Sequence, residues 1–165
     1  MVKYKGMIRY NVIPYKDEIL YSQIARLFDH TLETNVWQGL VKLVNNGNYQ
    51  ATIDLPNHLN DLYANYYHRI ENSVDEVIRK YTLYPFYEPF LRFDKRSRIL
   101  ADLKHGSGSL IHIIAGINAS NIMRLKYPRY CPQCILESRT QIHEAYWQRV
   151  HQIPGVLICP IHSVE

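Results

Sequence analysis

Apolar residues recur along this chain at steps of three and four, the spacing of one helix face rather than the two-residue alternation of a strand. Ile19, Leu20, Ile24, Leu27 and Phe28 predict a first amphipathic helix, with Asp17 ahead of it as N-cap. Val36, Trp37, Leu40, Val41 and Val44 predict a second, stopped in the Asn/Gly turn around Gly47. Leu59, Leu62, Tyr63, Tyr66 and Ile70 predict a third, opening after Pro56-Asn57. Ser73-Val-Asp-Glu76 has the form of a capping box and leads into Val77, Ile78 and Tyr81. The prolines of Tyr84-Pro-Phe-Tyr-Glu-Pro89 force a break, because each disfavours helix at the residue before it. Asp94 then caps a basic helix carrying Ile99, Leu100 and Leu103, Gly106 closes it, and residues 110–123 predict a further buried helix. Strand patterns are scarce, confined to 49–53 and 156–158. The expected fold class is mainly α, with the first two helices a candidate helix-turn-helix whose joining segment exceeds the usual turn of about 3–4 residues.

Composition narrows the class. A chain of 165 residues suits one domain, or one domain with a small appended lobe. No apolar run approaches the roughly 18–20 residues of a membrane span. The N-terminus MVKYKGMIRYNVIPYKDE lacks the apolar core of a secretory signal, so a cytoplasmic protein with no membrane partner is expected. The formal charge of +4 permits nucleic-acid binding without demanding it. Fourteen tyrosines against four phenylalanines suit either a half-exposed core or a wet interface, since tyrosine packs its ring and still hydrogen-bonds.

The chemistry concentrates near the C-terminus. Cys131-Pro-Gln-Cys134 and Cys159-Pro-Ile-His162 are matched knuckles, each aiming two metal ligands at one point, and they hold all three cysteines. Four Cys/His ligands make the closed tetrahedral set of structural zinc, leaving no open position for a catalytic water. An odd cysteine count without a signal peptide favours metal over a disulfide. The intervening segment, His143-Glu-Ala-Tyr-Trp-Gln-Arg-Val-His151, predicts one helix ended by Pro154-Gly155. His143 and His151 are alternative fourth ligands, and the doubled CPxC/CPxH form favours His162. The expected organisation is a helical domain over residues 1–126 and a zinc-knuckle or zinc-ribbon-like module over 127–165.

At these residues the chain resembles the TniQ/TnsD family of transposon target-selection proteins. RYCPQC…EAYWQRVHQIPGVLICPIH carries the resemblance, in which a CPxC knuckle, a Tyr-Trp-x-Arg segment, a His-Gln-x-Pro-Gly turn and CPxH follow in order. Upstream, Pro14-Tyr15, Glu18-Ile-Leu-Tyr-Ser-Gln-Ile-Ala-Arg26, Leu55-Pro56-x-His58-Leu59 and Tyr81-Thr-Leu-Tyr-Pro-Phe-Tyr-Glu-Pro-Phe90 resemble the TnsD branch. The resemblance implies a non-catalytic bacterial protein. It would bind double-stranded DNA at a chromosomal attachment site and recruit an AAA+ ATPase regulator of transposition. TnsD-like proteins continue beyond the second knuckle, so the sequence reads as an N-terminal portion.

The residues themselves offer candidates for those contacts. Arg92, Lys95, Arg96, Arg98 and Lys104 lie on or beside one helix, Arg124, Lys126 and Arg129 lead into the first knuckle, and Arg139 and Arg149 flank the metal segment. All are candidate phosphate contacts, and Arg149 is equally a candidate tie between lobe and body. Trp37, Tyr15 and Tyr21 are candidate anchors for a protein partner. Two other classes stand beside this reading: a zinc-dependent nuclease of HNH-like type, and a protein-interaction adaptor with no DNA contact. No small-molecule substrate is expected: Gly106-Ser-Gly-Ser109 lacks the Gly-Lys-Ser/Thr of a phosphate loop, and no group of carboxylates forces a two-metal site.

Overall fold

The computed structural model describes residues 11–44, 49, 51–106, 108, 110–117 and 125–164. Among them the regular elements are helical: α1 Leu20–His30, α2 Val36–Val44, α3 Leu59–Asn65, α4 Val74–Tyr81, α5 Tyr84–Tyr87, α6 Phe93–His105, α7 Ile111–Ile114 and α8 Pro132–Ile142. Short 3-10 turns, Tyr67–Arg69, Glu88–Phe90 and Val150–Gln152, join them. The two expected strands do not form among the described residues, where the one β-type pairing is an isolated bridge between Glu18 and Gln148.

The periodicity marks the core faces of α1, α3, α4 and α6, but not that of α2, which buries Gly39, Leu43 and Val44 and leaves Val36 and Trp37 exposed. Leu20, Ile24 and Leu27 of α1, Leu59 and Leu62 of α3, Val77 and Ile78 of α4, and Ile99 and Leu103 of α6 join one buried cluster. At roughly 1.5–3 kcal/mol per fully buried aliphatic side chain, this cluster is the main stabilising term of the body. Tyrosine belongs to it: Tyr49, Tyr66, Tyr67, Tyr81 and Tyr84 are buried. Two of their hydroxyls find buried partners within the chain's first helix and its approach, Tyr67 donating to Gln23 Oε1 at 2.5 Å and Tyr66 accepting from the Val12 amide at 2.6 Å.

Helix ends follow the sequence in part. Ser73 Oγ accepts from the Glu76 amide at 3.2 Å, the forward half of the expected capping box, while the Glu76 carboxylate turns to Lys80 instead. The break expected within Tyr84–Pro89 falls earlier, at extended Thr82, and Tyr84 and Glu88 are helical despite the prolines that follow them, because each proline sits in the first turn of a short helix, where it loses no hydrogen bond. Asp94 sits inside the first turn of α6 rather than at its cap, where its charge meets the positive helix end. Asp17 is not the cap of α1 either. Ile19 holds that position, and Asp17 takes a left-handed backbone (φ 56°) that frees it for another task. The turn around Gly47 and residues 118–123 of the expected buried helix lie outside the described residues, and α7 covers only the start of that helix.

The expected 143–151 helix is absent, and the reason is competition for its backbone. The helix of this region forms earlier, at α8, where Cys131 is the N-cap and Pro132 supplies a preset first turn. His143 ends it in the left-handed region at φ 59°. The following residues spend their backbone groups on the segment that leads into α1: Ile19 N–H donates to Trp147 O at 3.1 Å and Arg149 N–H to Asp17 O at 2.6 Å.

Candidate metal centre

Cys131 closes the loop before α8 and Cys134 lies in its first turn, so one helix start carries both sulfurs of the first knuckle. The second knuckle is a turn in which Ser163 N–H donates to Cys159 O at 2.9 Å and Cys159 N–H to Val164 O at 2.8 Å. The two bring Cys131, Cys134, Cys159 and His162 together, with one ligand atom from each lying within 4.8 Å of all the others. His162 Nδ1 stands 3.5, 3.3 and 3.7 Å from the sulfurs of Cys131, Cys134 and Cys159, and Cys134 Sγ is 3.7 Å from Cys159 Sγ. Zinc bond lengths of about 2.3 Å to sulfur and 2.0–2.1 Å to nitrogen give tetrahedral edges of about 3.8 and 3.6 Å. The four residues thus fit a single metal ion of that size.

Burial, with the neighbouring Cys159 and Cys131 sulfurs, pushes the Cys134 thiol up to about 12. Burial acts the same way on Cys159, but hydrogen bonds from His151 and from the amides of His162 and Ile161 outweigh it and bring that thiol down to about 5. Three thiolates in one buried spot repel one another, and a dication is the group that lets them coexist. Around the ligands, His162 Nε2 meets Glu137 Oε1 at 2.9 Å, which raises the imidazole to about 9 and fixes the ring with Nδ1 inward. His151, an alternative ligand by sequence, lies outside the ligand set and contacts Cys159 Sγ through Nε2 at 3.4 Å. His143 is exposed at the end of α8.

Polar clamps hold the knuckles in register. Gln152, wholly buried, donates to Arg129 O at 2.7 Å and accepts from the Arg129 amide at 2.9 Å. The Arg129 guanidinium in turn donates to Val156 O and Ile153 O, each at 2.7 Å. The Arg-Tyr before the first knuckle and the His-Gln-x-Pro-Gly before the second are two sides of one joint.

A second network ties this region to α1. Glu18 is fully buried and accepts from Arg26 at 2.7 Å, Ser22 at 2.7 Å and the Tyr15 amide at 3.0 Å. Burial pushes its carboxyl up, and those donors pull it back. Arg26 reaches on to Glu144 at 2.7 Å, and Tyr15 and His30 meet the same carboxylate at 2.9 and 2.5 Å. Burial alone would raise Glu144, but the hydrogen bonds of Arg26, His30 and Tyr15 prevail and hold it down at about 2. Trp147 N–H donates to Ser22 Oγ at 3.0 Å, and Asp17 accepts from Arg149 Nε at 3.1 Å and from the Val150 amide at 2.9 Å. Residues 144–150 and 15–26, which sequence motifs present as separate pieces, form one clasp.

The expected contact residues divide accordingly. Arg129 and Arg149 are spent inside the molecule, Arg149 also donating to Arg79 O at 2.6 Å. Arg96 donates to Leu91 O at 2.8 Å and Lys104 pairs with Asp75 at 2.9 Å. Arg92, Lys95, Arg98, Lys126 and Arg139 are exposed, and Arg124 lies outside the described residues. Of the aromatic candidates, Tyr15 is held under the Arg26 guanidinium at 3.9 Å, Tyr21 stands edge-on to Trp147 at 6.0 Å, and Trp37 is 63% exposed. Helix α2 carries one cation, Lys42, paired with Glu33 at 2.7 Å.

The TniQ family model matches residues 9–165, nearly the whole chain. This chain belongs to the TniQ family. The transposon Tn7 transposition protein TnsD of Escherichia coli is 29% identical over 158 residues, covering 92% of this chain and 30% of that relative. The chain thus spans about a third of the length of the curated relative it matches. The TniQ match runs through both the clasp and the metal centre. No helix among the described residues is long and apolar enough to cross a membrane.

Proposed function

We propose that this TniQ chain is a non-catalytic target-selection protein of transposition. It acts in the cytoplasm on attachment-site DNA and recruits an AAA+ ATPase regulator. The observation that carries the reading is the closed Cys3His set: every donor is turned inward, which suits a structural zinc ion and a scaffolding task. Zinc held by Cys131, Cys134, Cys159 and His162 would neutralise the thiolates and fix the module of residues 127–165 against the helical domain of residues 1–126. DNA phosphates would meet the exposed cations Arg92, Lys95, Arg98, Lys126 and Arg139.

Binding of the zinc-loaded chain to attachment-site and scrambled duplexes, across a salt series, tests the reading. With about three to five phosphate contacts, log affinity falls against log salt with a slope of about −2.7 to −4.5. Absence of binding at low salt removes DNA from the proposal, and duplex cleavage with Mg²⁺ or Mn²⁺ removes the non-catalytic assignment. A second reading, an adaptor that touches only proteins, is favoured by one observation. Arg96, Lys104, Arg129 and Arg149 are engaged within the chain.

A further inference from the structure

His151 touches a metal ligand without being one. It is buried, and its Nε2 stands 3.4 Å from Cys159 Sγ. A thiolate bound to a metal carries no proton, so this contact is a hydrogen bond only when the imidazole nitrogen holds the hydrogen and donates it. Donors of this kind orient the ligand and tune its charge, and losing one weakens metal binding.

The position of His151 is set from both sides. On one side Gln152 is clamped to the Arg129 amide and carbonyl at 2.9 and 2.7 Å, two residues before Cys131. On the other side the Val150 amide donates to Asp17 Oδ2 at 2.9 Å. The residues before it are held by the same N-terminal segment. Trp147 N–H donates to Ser22 Oγ at 3.0 Å, Ile19 N–H donates to Trp147 O at 3.1 Å, and Arg149 pairs with Asp17 at 3.1 Å. Tyr146 packs against Tyr15 with ring centroids 5.0 Å apart, and Tyr21 stands edge-on to Trp147. One continuous stretch therefore runs from the approach to α1 up to a metal ligand, and its last residue cannot keep its place if the stretch lets go.

We propose that His151 is a positioning residue of the metal centre, and that residues 144–150 make metal affinity depend on their seating against residues 15–22. The inference rests on the metal reading of the four ligands, and not on DNA or the ATPase regulator. Two sites joined in this way are linked reciprocally: whatever seating adds to metal affinity, the metal adds to seating.

Zinc affinity, measured by competition with a chromophoric chelator on the full chain, tests both halves. His151→Phe keeps a ring and removes the donor, and should bind zinc about 10–100-fold more weakly. His151→Gln, which restores a side-chain N–H, should recover part of that loss. Asp17→Asn tolerates the left-handed backbone at this position but loses the charge and one of two acceptor oxygens. It should weaken zinc binding at least about fivefold. Leu62→Ala, a lesion in the body core, should leave zinc affinity unchanged, which separates linkage from general destabilisation. At saturating zinc the amide spectra of the His151 and Asp17 variants should match that of the unaltered chain away from the substituted residue.

The reciprocal half is read by hydrogen exchange. Zinc removal should speed exchange at the Ile19 amide, which donates to Trp147 O, and leave Ile78 and Ile99 in the body core unaffected. Unchanged zinc affinity in His151→Phe or in Asp17→Asn, or an Ile19 amide indifferent to zinc, would overturn the proposal while the metal reading stands. An unaltered chain that binds no zinc would overturn the metal reading and this proposal with it.

Discussion

The helical body and the Cys/His lobe differ in what is available to stabilise them. In the body, helices α1, α3, α4 and α6 share one buried cluster of aliphatic and tyrosine side chains. In the lobe the corresponding cluster consists of Cys131, Cys134 and Cys159, while Leu136, Leu157, Ile158 and Ile161 face solvent. A segment of this length with so little apolar burial cannot offset its conformational entropy unaided. Four ligands around the proposed zinc, with the Arg129–Gln152 joint, would do for the lobe what apolar packing does for the body. Function would then be distributed unevenly, with a helical scaffold held by its own core on one side and, on the other, a lobe whose order would depend on the zinc proposed above.

Several perturbations break or sharpen that contrast. The largest effect is metal removal. Zinc supplies roughly 10–16 kcal/mol to isolated finger peptides, so chelation, or Cys159→Ser, should melt the lobe while the far-ultraviolet helical signal of the body survives. Circular dichroism with metal analysis checks this. Next is Arg26→Met, which leaves Glu18 and Glu144 as carboxylates without their shared cation. Stranding one partner of a buried pair costs about 3–5 kcal/mol, and urea unfolding should show it together with loosened docking of residues 144–150. Leu62→Ala, in the body core, should cost about 2–5 kcal/mol and leave zinc affinity unchanged, the converse of the chelation result.

A smaller effect carries a pH signature. Glu144 is held at about 2 against an ordinary 4.5, so its contribution is fully present above pH 4.5 and fades as the pH falls through 2. The urea midpoint of the unaltered chain should exceed that of Glu144→Gln at pH 5. That margin should close between 4.5 and 2. A margin that persists at low pH would mean that the carboxylate charge is not what holds the clasp.

The sequence made legible whatever is periodic or local. The apolar faces of α1, α3, α4 and α6, the Ser73 cap and the paired knuckles all follow from spacing within a few residues. The errors cluster where distant partners compete for local preference. Asp17 has the composition of an N-cap, yet it serves Arg149 and Val150, more than 130 residues away. Residues 143–151 have a helical pattern, but their backbone groups are claimed by the segment that leads into α1. The buried Glu18–Arg26–Glu144 network was missed because no single motif contains it. One signal was available: a Glu and an Arg on the apolar stretch of an amphipathic helix, where unpaired charge is costly, announce a buried partner.

The measurement that bears most directly on this account is an amide NMR spectrum of the isotope-labelled chain, recorded before and after chelation and again after one equivalent of zinc. Signals of residues 127–164 should collapse on chelation and return at one zinc per chain, while those of α3, α4 and α6 stay in place. A spectrum indifferent to chelation, or one that collapses throughout, would contradict the division between a body held by its core and a lobe held by its metal.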